Sequence, residues 1–184
     1  MSSSLDKIIC PIKQNYSVPF TDSYILVDRD NTIIVDAGYT FEMSELRFIP
    51  EAIAVLRRLQ LTKRNIVVIS NQGGIGLEKY SIEEMLTFND FMVKELEFQG
   101  VTISAIYSCP HHPLSQYQSF RYCENRKPAS GMIQAFLSDF DATASQCIMI
   151  GDSTTDIQAA NESGIEGFLV KNPSDWSSIK VDTL

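Results

Sequence analysis

The chain has 184 residues, of which 44% are apolar and 21% charged, with a formal net charge of −8. This length and composition predict one compact domain with a single core. The acidic balance disfavours nucleic acid and anionic lipid as partners, and no uncharged apolar run approaches the roughly 20 residues of a membrane span. No basic leader opens the chain. We therefore expect a soluble, cytoplasmic monomer that acts on a small molecule.

The four cysteines are too few and too scattered for a disulfide framework, which favours a reducing cytosol. They are Cys10, Cys109, Cys123 and Cys147. Free thiols or metal ligands are the remaining roles. Cys147 lies in an apolar run and is predicted to be a core residue, whereas Cys10 has no role that the sequence indicates.

Residues 1–23 are polar with isolated prolines, which predicts an extension that packs on the domain surface or is partly disordered. The folded domain is expected over residues 24–184. Within it, apolar and β-branched runs predict buried strands. These runs are residues 24–28, 66–70, 103–107, 147–151 and 167–170.

Helical patterns separate these strands. Ile53, Leu56 and Leu59 recur at the spacing of a helix that packs against a sheet, and Ser81 with Glu84 forms a capping box. The predicted helices are residues 51–60, 81–100, 130–140 and 155–163. Alternation of this kind predicts an α/β fold with a mainly parallel sheet and helices on both faces. Ligands bind such sheets beyond the carboxyl ends of the strands.

The first predicted strand ends in a D-x-D-x-T pattern formed by Asp28, Asp30 and Thr32. One carboxylate can attack phosphorus while the other exchanges a proton with the leaving oxygen and then with water. An isolated pair of aspartates can also do no more than form a turn, because Asp readily bonds to nearby backbone. The pattern therefore needs support from the ends of the other strands.

The second strand ends at Ser70 and Asn71, followed by Gly73, whose backbone can approach an anion closely. The alternative is a glycine-rich turn. Arg126 and Lys127 precede the third helix and offer a bidentate donor and a fixed positive charge, or else a solvated basic pair.

The fourth strand ends in a G-D-x-x-x-D pattern with Asp152 and Asp156. Asp152 is suited to bind Mg²⁺, and Asp156 is suited to orient the site or to cap the following helix. Four ordered motifs thus occur along the chain, three of them at strand ends.

This series resembles the haloacid dehalogenase (HAD) superfamily of phosphatases, and the resemblance covers residues 24–170. It implies a three-layer Rossmann-like fold. No separate cap domain is expected, because residues 32–51 are too few for one and residues 70–126 are used by one helix, one strand and the cysteine loop. The resemblance also implies that Asp28 is the nucleophile, Asp30 the general acid and base, and Lys127 the group that neutralises the phosphate. Phosphate would be bound by Thr32, Ser70, Asn71 and Arg126. Mg²⁺ would be held by the Asp28 carboxylate, the Asp30 carbonyl and Asp152.

A second pattern, with Cys109, His111 and Cys123 directly before R-K-P, looks like the zinc loop of D-glycero-D-manno-heptose 1,7-bisphosphate 7-phosphatases and related histidinol phosphatases. Asn125 stands where those relatives have a fourth ligand, a cysteine. A neutral amide is a poor zinc ligand. Either His112 supplies the fourth ligand or the loop keeps its shape by packing alone, so the binding of zinc stays open.

The resemblance favours removal of the 7-phosphate from a heptose bisphosphate. Two positions depart from that branch, because Asn31 replaces a common glycine and Leu77 replaces an arginine near the substrate. The alternatives are histidinol phosphate or another small phosphomonoester as substrate, and a binding protein that keeps the fold without the chemistry. A nucleic-acid end-processing phosphatase is disfavoured by the acidic balance.

Overall fold

The computed structural model describes residues 9–17 and 21–179, which form a six-stranded sheet flanked by helices. The strands are β1 Ile12–Asn15, β2 Tyr24–Val27, β3 Asn65–Asn71, β4 Ile103–Cys109, β5 Cys147–Gly151 and β6 Glu166–Leu169. The helices are α1 Pro50–Leu61, α2 Ile82–Phe98, α3 Gly131–Asp139, α4 Thr154–Glu162 and α5 Pro173–Trp176. The sheet has the order β1-β4-β3-β2-β5-β6, so β2 lies between β3 and β5.

Five strands are parallel, and only β1 among the described strands runs antiparallel, paired with β4 at the edge of the sheet. The predicted α/β fold with a mainly parallel sheet is confirmed. Each of the five predicted strands and four predicted helices is present, with bounds that differ by at most two residues.

Apolar side chains of β2 alternate between the two faces of the sheet, because successive residues of a strand point in opposite directions. Ile25 and Val27 join a core cluster with α1, α2 and α5. Tyr24 and Leu26 join a second cluster with α3 and α4. Helices therefore cover both faces, which gives the three layers that the resemblance implied.

Local signals explain where the helices begin and end. The Ser81 hydroxyl accepts a hydrogen bond from the Glu84 backbone N–H, and the Glu84 carboxylate accepts one from the Ser81 backbone N–H. These two bonds complete the predicted capping box of α2. Past the end of α2, Gly100 adopts a φ of +78°, a conformation that glycine reaches without strain. No separate domain is inserted between the described elements that follow β2 or β3.

β1 is a strand that the sequence analysis does not predict. It lies within the segment that was expected to be an extension, and it pairs through Ile12 with Ser108 and through Asn15 with Ala105. Residues 12–15 thus belong to the sheet. The predicted boundary at residue 23 stays a prediction, and residues 1–8 and 18–20 lie outside the described part.

None of the helices in residues 9–17 and 21–179 combines the length and the apolar character that a membrane span needs.

Candidate active site

The candidate active site lies at the carboxyl ends of the three central strands. Asp28 follows β2, Ser70 and Asn71 end β3, and Asp152 follows β5. Because β3 and β5 are the parallel neighbours of β2, their carboxyl ends lie side by side. Sheet order thus brings together residues that are far apart in the sequence.

Three carboxylates meet there, with ligand oxygens of Asp28, Asp152 and Asp156 within 4.8 Å of one another. The buried ammonium of Lys127 donates hydrogen bonds to Asp28 Oδ1 at 2.7 Å and to the Ile69 carbonyl at 2.6 Å, and it forms an ion pair with Asp156 Oδ1 at 2.6 Å. We call Asp28, Lys127, Asp152 and Asp156 the carboxylate centre. It contains three carboxylates and one cation.

Burial is the largest cause of the pKa shifts of the two aspartates Asp28 and Asp152 in this centre. It raises the pKa of Asp28 to about 7, against the attraction of Lys127 and with repulsion from Asp156 and Asp30. Burial and the charge of Asp156 also raise the pKa of Asp152. Burial alone would lower the pKa of Lys127, but Asp28 and Asp156 outweigh it and raise that pKa. Additional positive charge would therefore be stabilised at this position.

The donor set of the carboxylate centre fits a hard divalent cation, because carboxylate oxygens are the ligands that Mg²⁺ prefers. Asp28 and Asp152 are the carboxylate ligands that the sequence analysis names. Asp156 lies close enough to take part, but its Oδ2 also accepts a hydrogen bond from the Ser153 backbone and completes the capping box of α4. Its expected role as a helix cap is thus present, together with the ion pair to Lys127.

The carboxylate of Asp30 is held by two side chains, those of Arg29 and Gln72. Arg29 contacts it through Nε at 2.9 Å and Nη2 at 3.2 Å, and Gln72 donates to it at 2.9 Å. The carboxylate of Asp30 is therefore fixed in orientation. A metal bond through the Asp30 carbonyl stays a prediction.

Ser70 and Asn71 hold the site together from β3. The Ser70 hydroxyl accepts a hydrogen bond from Gln72 at 2.8 Å. Asn71 donates to the Lys127 carbonyl at 2.9 Å and accepts from the Lys127 backbone at 3.0 Å. This reciprocal pair places the ammonium of Lys127 beside β3, so the side-chain amide of Asn71 is engaged in positioning.

Thr32 and Arg126 differ in their access to a ligand. Thr32 is fully buried, and its hydroxyl has no hydrogen-bond partner in the described part of the chain. Direct contact between this side chain and phosphate would require neighbouring residues to move. Arg126 lines an open cleft of about 440 Å³ and donates to the His111 carbonyl at 2.8 Å. That cleft is lined by Asp30, Asp36, Gly38, Tyr39, Asn71, Gly73, Tyr80, His112 and Arg126.

Comparison with known proteins yields the same fold and chemistry. A HAD-hydrolase-like family model matches residues 124–174. The D-glycero-beta-D-manno-heptose-1,7-bisphosphate 7-phosphatase of Haemophilus influenzae is 34% identical over 135 residues, which cover 73% of each chain. The Escherichia coli K12 enzyme of that name is 36% identical over 137 residues, 74% of this chain and 72% of the relative. The chain belongs to the HAD-like phosphatases.

A solved HAD-like phosphatase extends this comparison to three dimensions. The D,D-heptose 1,7-bisphosphate phosphatase of B. bronchiseptica, complexed with magnesium and phosphate, superposes with a TM-score of 0.72 at 25% identity and covers 86% of this chain and 87% of its own. The predictions that the chain is a HAD-superfamily member and a phosphoric monoester hydrolase are confirmed.

A second cluster in this HAD-like phosphatase corrects the sequence analysis. The Cys10 sulfur lies 3.5 Å from that of Cys123 and 3.7 Å from that of Cys109, and the sulfurs of Cys109 and Cys123 are 3.7 Å apart. His111 Nδ1 lies 3.9 Å from the Cys109 sulfur. We call Cys10, Cys109, His111 and Cys123 the thiol centre. Cys10, for which the sequence indicated no role, is thus its fourth member.

His112 is not part of the thiol centre, contrary to one of the two expectations for the fourth ligand. Its Nδ1 accepts a hydrogen bond from the Leu114 backbone at 3.1 Å, and its ring packs against Gly73. A Cβ atom at residue 73 would lie 2.7 Å from the His112 ring, so glycine is required for this contact. The ring therefore lines the cleft.

Sequence reasoning missed the residues that hold Asp30 and Ser70. Arg29 is 1% exposed, donates to the Asn89 side chain and the Thr40 carbonyl, and packs over the Phe88 ring. Gln72 accepts a hydrogen bond from Tyr80 at 2.7 Å. An available signal was the position of Arg29 between two site aspartates in a strand-end motif.

Proposed function

We propose that the chain removes the 7-phosphate from a D-glycero-D-manno-heptose 1,7-bisphosphate through an aspartyl phosphate on Asp28. The observation that carries the chemistry is the buried contact between Asp28 and Lys127 beside Asp152 and Asp156. The substrate is suggested by the curated relatives and by the B. bronchiseptica structure, whose names specify heptose bisphosphate.

The proposed reaction has two balanced steps. A carboxylate oxygen of Asp28 attacks phosphorus, the bond from phosphorus to the sugar oxygen breaks, and that oxygen takes a proton from Asp30. Asp30 then removes a proton from water, whose oxygen attacks phosphorus. The bond to Asp28 breaks, which releases inorganic phosphate and restores the carboxylate.

The remaining residues position and balance these groups. Lys127 holds Asp28 and offsets negative charge, while Arg29 and Gln72 keep the Asp30 carboxylate in one orientation. Gln72 donates to both Asp30 and Ser70 and so fixes these two side chains relative to each other. Mg²⁺, held by Asp28, Asp152 and the Asp30 carbonyl, would neutralise charge between the nucleophile and the phosphoryl oxygens.

The open cleft supports a substrate with a projecting polar end. Arg126 lines it, although burial lowers the pKa of this guanidinium, and His112 and Tyr39 lie on the same cleft. A guanidinium binds phosphate oxygens in a bidentate manner, which suits the second phosphate of a bisphosphate. Leu77 stands where the heptose bisphosphatases often have an arginine near the substrate. Arg126 is therefore the candidate for this contact in the present chain.

The cellular setting follows the same proposal. We expect a monomer in the cytoplasm, where Mg²⁺ is available and thiols stay reduced, in agreement with four cysteines that form no disulfide. Its partner is a small phosphorylated sugar.

A phosphate-release panel tests the substrate. Purified protein is assayed with heptose 1,7-bisphosphates of both anomeric forms, histidinol phosphate and simple sugar phosphates, with Mg²⁺ or with EDTA. We expect the highest kcat/KM for one heptose bisphosphate and loss of turnover in EDTA. A higher kcat/KM for histidinol phosphate would contradict the substrate proposal alone, while no release from any compound would contradict the catalytic proposal as well.

A further inference from the structure

The thiol centre has the dimensions of a metal site. Its three sulfur–sulfur distances are 3.5, 3.7 and 3.7 Å. A tetrahedron of sulfurs around Zn²⁺ with bonds of about 2.3 Å has edges of about 3.8 Å. A disulfide would instead require a separation of about 2.05 Å. The four ligand atoms lie within 4.8 Å of one another, so all of them can reach one ion.

Donor chemistry narrows the choice of ion. Three sulfurs and one imidazole nitrogen form a closed set of the kind that structural Zn²⁺ takes, whereas Mg²⁺ and Ca²⁺ prefer oxygen. The His111 ring is oriented by an edge contact with Phe120, with ring centroids 4.8 Å apart. Cys109 is fully buried at the end of β4.

We propose that Cys10, from outside the loop motif, is the fourth ligand of one structural Zn²⁺ beside Cys109, His111 and Cys123, and that it thereby connects the N-terminal edge strand to the loop that carries Lys127. This goes beyond the proposed function, since it assigns the fourth ligand to a segment outside the loop motif.

Asn125 supports this assignment instead of opposing it. Its side-chain nitrogen donates to the Cys10 carbonyl at 3.2 Å, and its backbone N–H donates to the Cys123 sulfur at 3.4 Å. The side-chain amide of Asn125 thus holds the backbone of Cys10, whose thiol takes the place of the fourth ligand that relatives have at position 125. Groups that orient metal ligands in this way contribute to affinity.

The position of Cys10 links three parts of the molecule. It lies two residues before β1, whose register places Ile12 opposite Ser108, next to Cys109. Cys123 lies four residues before Lys127, whose ammonium contacts Asp28. Metal at the thiol centre would therefore fix the sheet edge and the loop that ends in the active site.

Metal analysis of protein purified without added metal is the direct test. We expect about one zinc per chain, and less than about 0.2 in Cys10→Ser, because three remaining ligands hold a structural ion poorly. Cys147→Ser is the matched control: this cysteine lies in β5 outside the centre, and the variant should keep the metal. In Cys10→Ser/Asn125→Cys, a thiol at residue 125 should restore at least half of the zinc.

Cobalt substitution counts the thiolates independently of activity. Co²⁺ in the wild type should give tetrahedral d–d bands and a thiolate charge-transfer band, and Cys10→His should keep the ion while the charge-transfer intensity falls by about one third, from three thiolates to two. Cys10→His also tests the role of Cys10 as a ligand if Cys10→Ser does not fold.

Two results would overturn the inference. One is a wild type that holds no zinc even after refolding with Zn²⁺ under reducing conditions. The other is a Cys10→Ser or Cys10→His variant whose metal content and cobalt spectrum equal those of the wild type. Neither readout depends on turnover, so failure here is distinct from failure of the proposed catalysis.

Discussion

The carboxylate centre and the thiol centre lie in the same molecule but are assembled by different rules. In the first, Asp28 and Asp152 directly follow β2 and β5, two parallel neighbours. In the second, Cys109 ends β4 while Cys10 precedes the antiparallel strand β1. The rule that parallel strands present ligands at their carboxyl ends therefore covers the first centre and only part of the second.

Their charge balance also differs. Lys127 lies between Asp28 and Asp156 and offsets part of their negative charge. The thiol centre is built from three sulfurs and an imidazole that contact one another. An oxygen-ligand set of the first kind suits an exchangeable Mg²⁺, and a sulfur and imidazole set of the second kind suits a structural Zn²⁺, which is why we propose a catalytic role for one centre and a structural role for the other.

The largest expected effect is a loss of turnover when the carboxylate centre is changed and the thiol centre is left intact. Asp28→Asn removes the attacking charge with little change of shape, so we expect kcat to fall by at least about 10³-fold, while zinc content is retained and the variant still unfolds in one cooperative transition. Phosphate release, metal analysis and thermal unfolding measure these quantities. Glu97→Gln, on the exposed end of α2, is the control carboxylate and should keep wild-type turnover. Turnover near the wild-type level in Asp28→Asn would refute the nucleophile assignment.

The next effect concerns stability within the carboxylate centre. Lys127→Met leaves Asp156, which is 1% exposed, without its cation, so we expect a loss of about 3–5 kcal/mol in unfolding free energy at pH 8 in metal-free protein. Asp156→Asn in the same chain should recover part of that loss. Urea unfolding gives both values, with the exposed Lys94→Met as control. Equal stability of the single and double variants would show that the ion pair with Asp156 is not what Lys127 balances.

The smallest effect is a pH dependence. Because burial raises the pKa of Asp28 to about 7, the folded protein binds this proton more tightly than the unfolded chain, whose pKa is near 3.8. Between these values stability falls as pH rises. From pH 5 to 8, metal-free wild type should lose about 1–3 kcal/mol more unfolding free energy than Asp28→Asn.

His112 works in the opposite direction in this range, since burial lowers its pKa. His112 is present in both the wild type and Asp28→Asn, so its contribution to the pH dependence of stability cancels when the two proteins are compared. Urea unfolding at several pH values measures the two slopes, and identical slopes would show that Asp28 is already ionised in the folded protein at pH 5.

Continuous apolar runs made the central strands predictable, because strands buried on both faces carry no polar alternation. Tyr24–Val27 is buried at all four positions, and the polar residues after such a strand could be placed at the sheet edge. β1 gave no such signal. Its residues alternate between half-buried and exposed, as expected of an edge strand, and its pairing depends on a distant partner.

The missed site residues share a physical cause. Cys10 and Cys109 are 99 positions apart, so no local spacing connects them. Arg29 and Gln72 lie inside motifs whose neighbours carry the chemistry, and their hydrogen bonds to Asn89 and Tyr80 are formed only in the folded chain. Thr32 is the opposite case: the motif predicted that its side chain binds phosphate, but the fold buries that side chain completely. Its role stays a prediction.

The antiparallel pairing of β1 has a consequence for the order of folding. β1 lies first in the sequence, yet its partner β4 is synthesised only after β2, β3 and the two helices that follow these strands. Contacts between such distant residues close a long loop and form after local ones. During synthesis the thiol of Cys10 therefore lacks its contact with Cys109 until residue 109 has left the ribosome, and a reducing environment would keep this thiol free for the later docking of the strand.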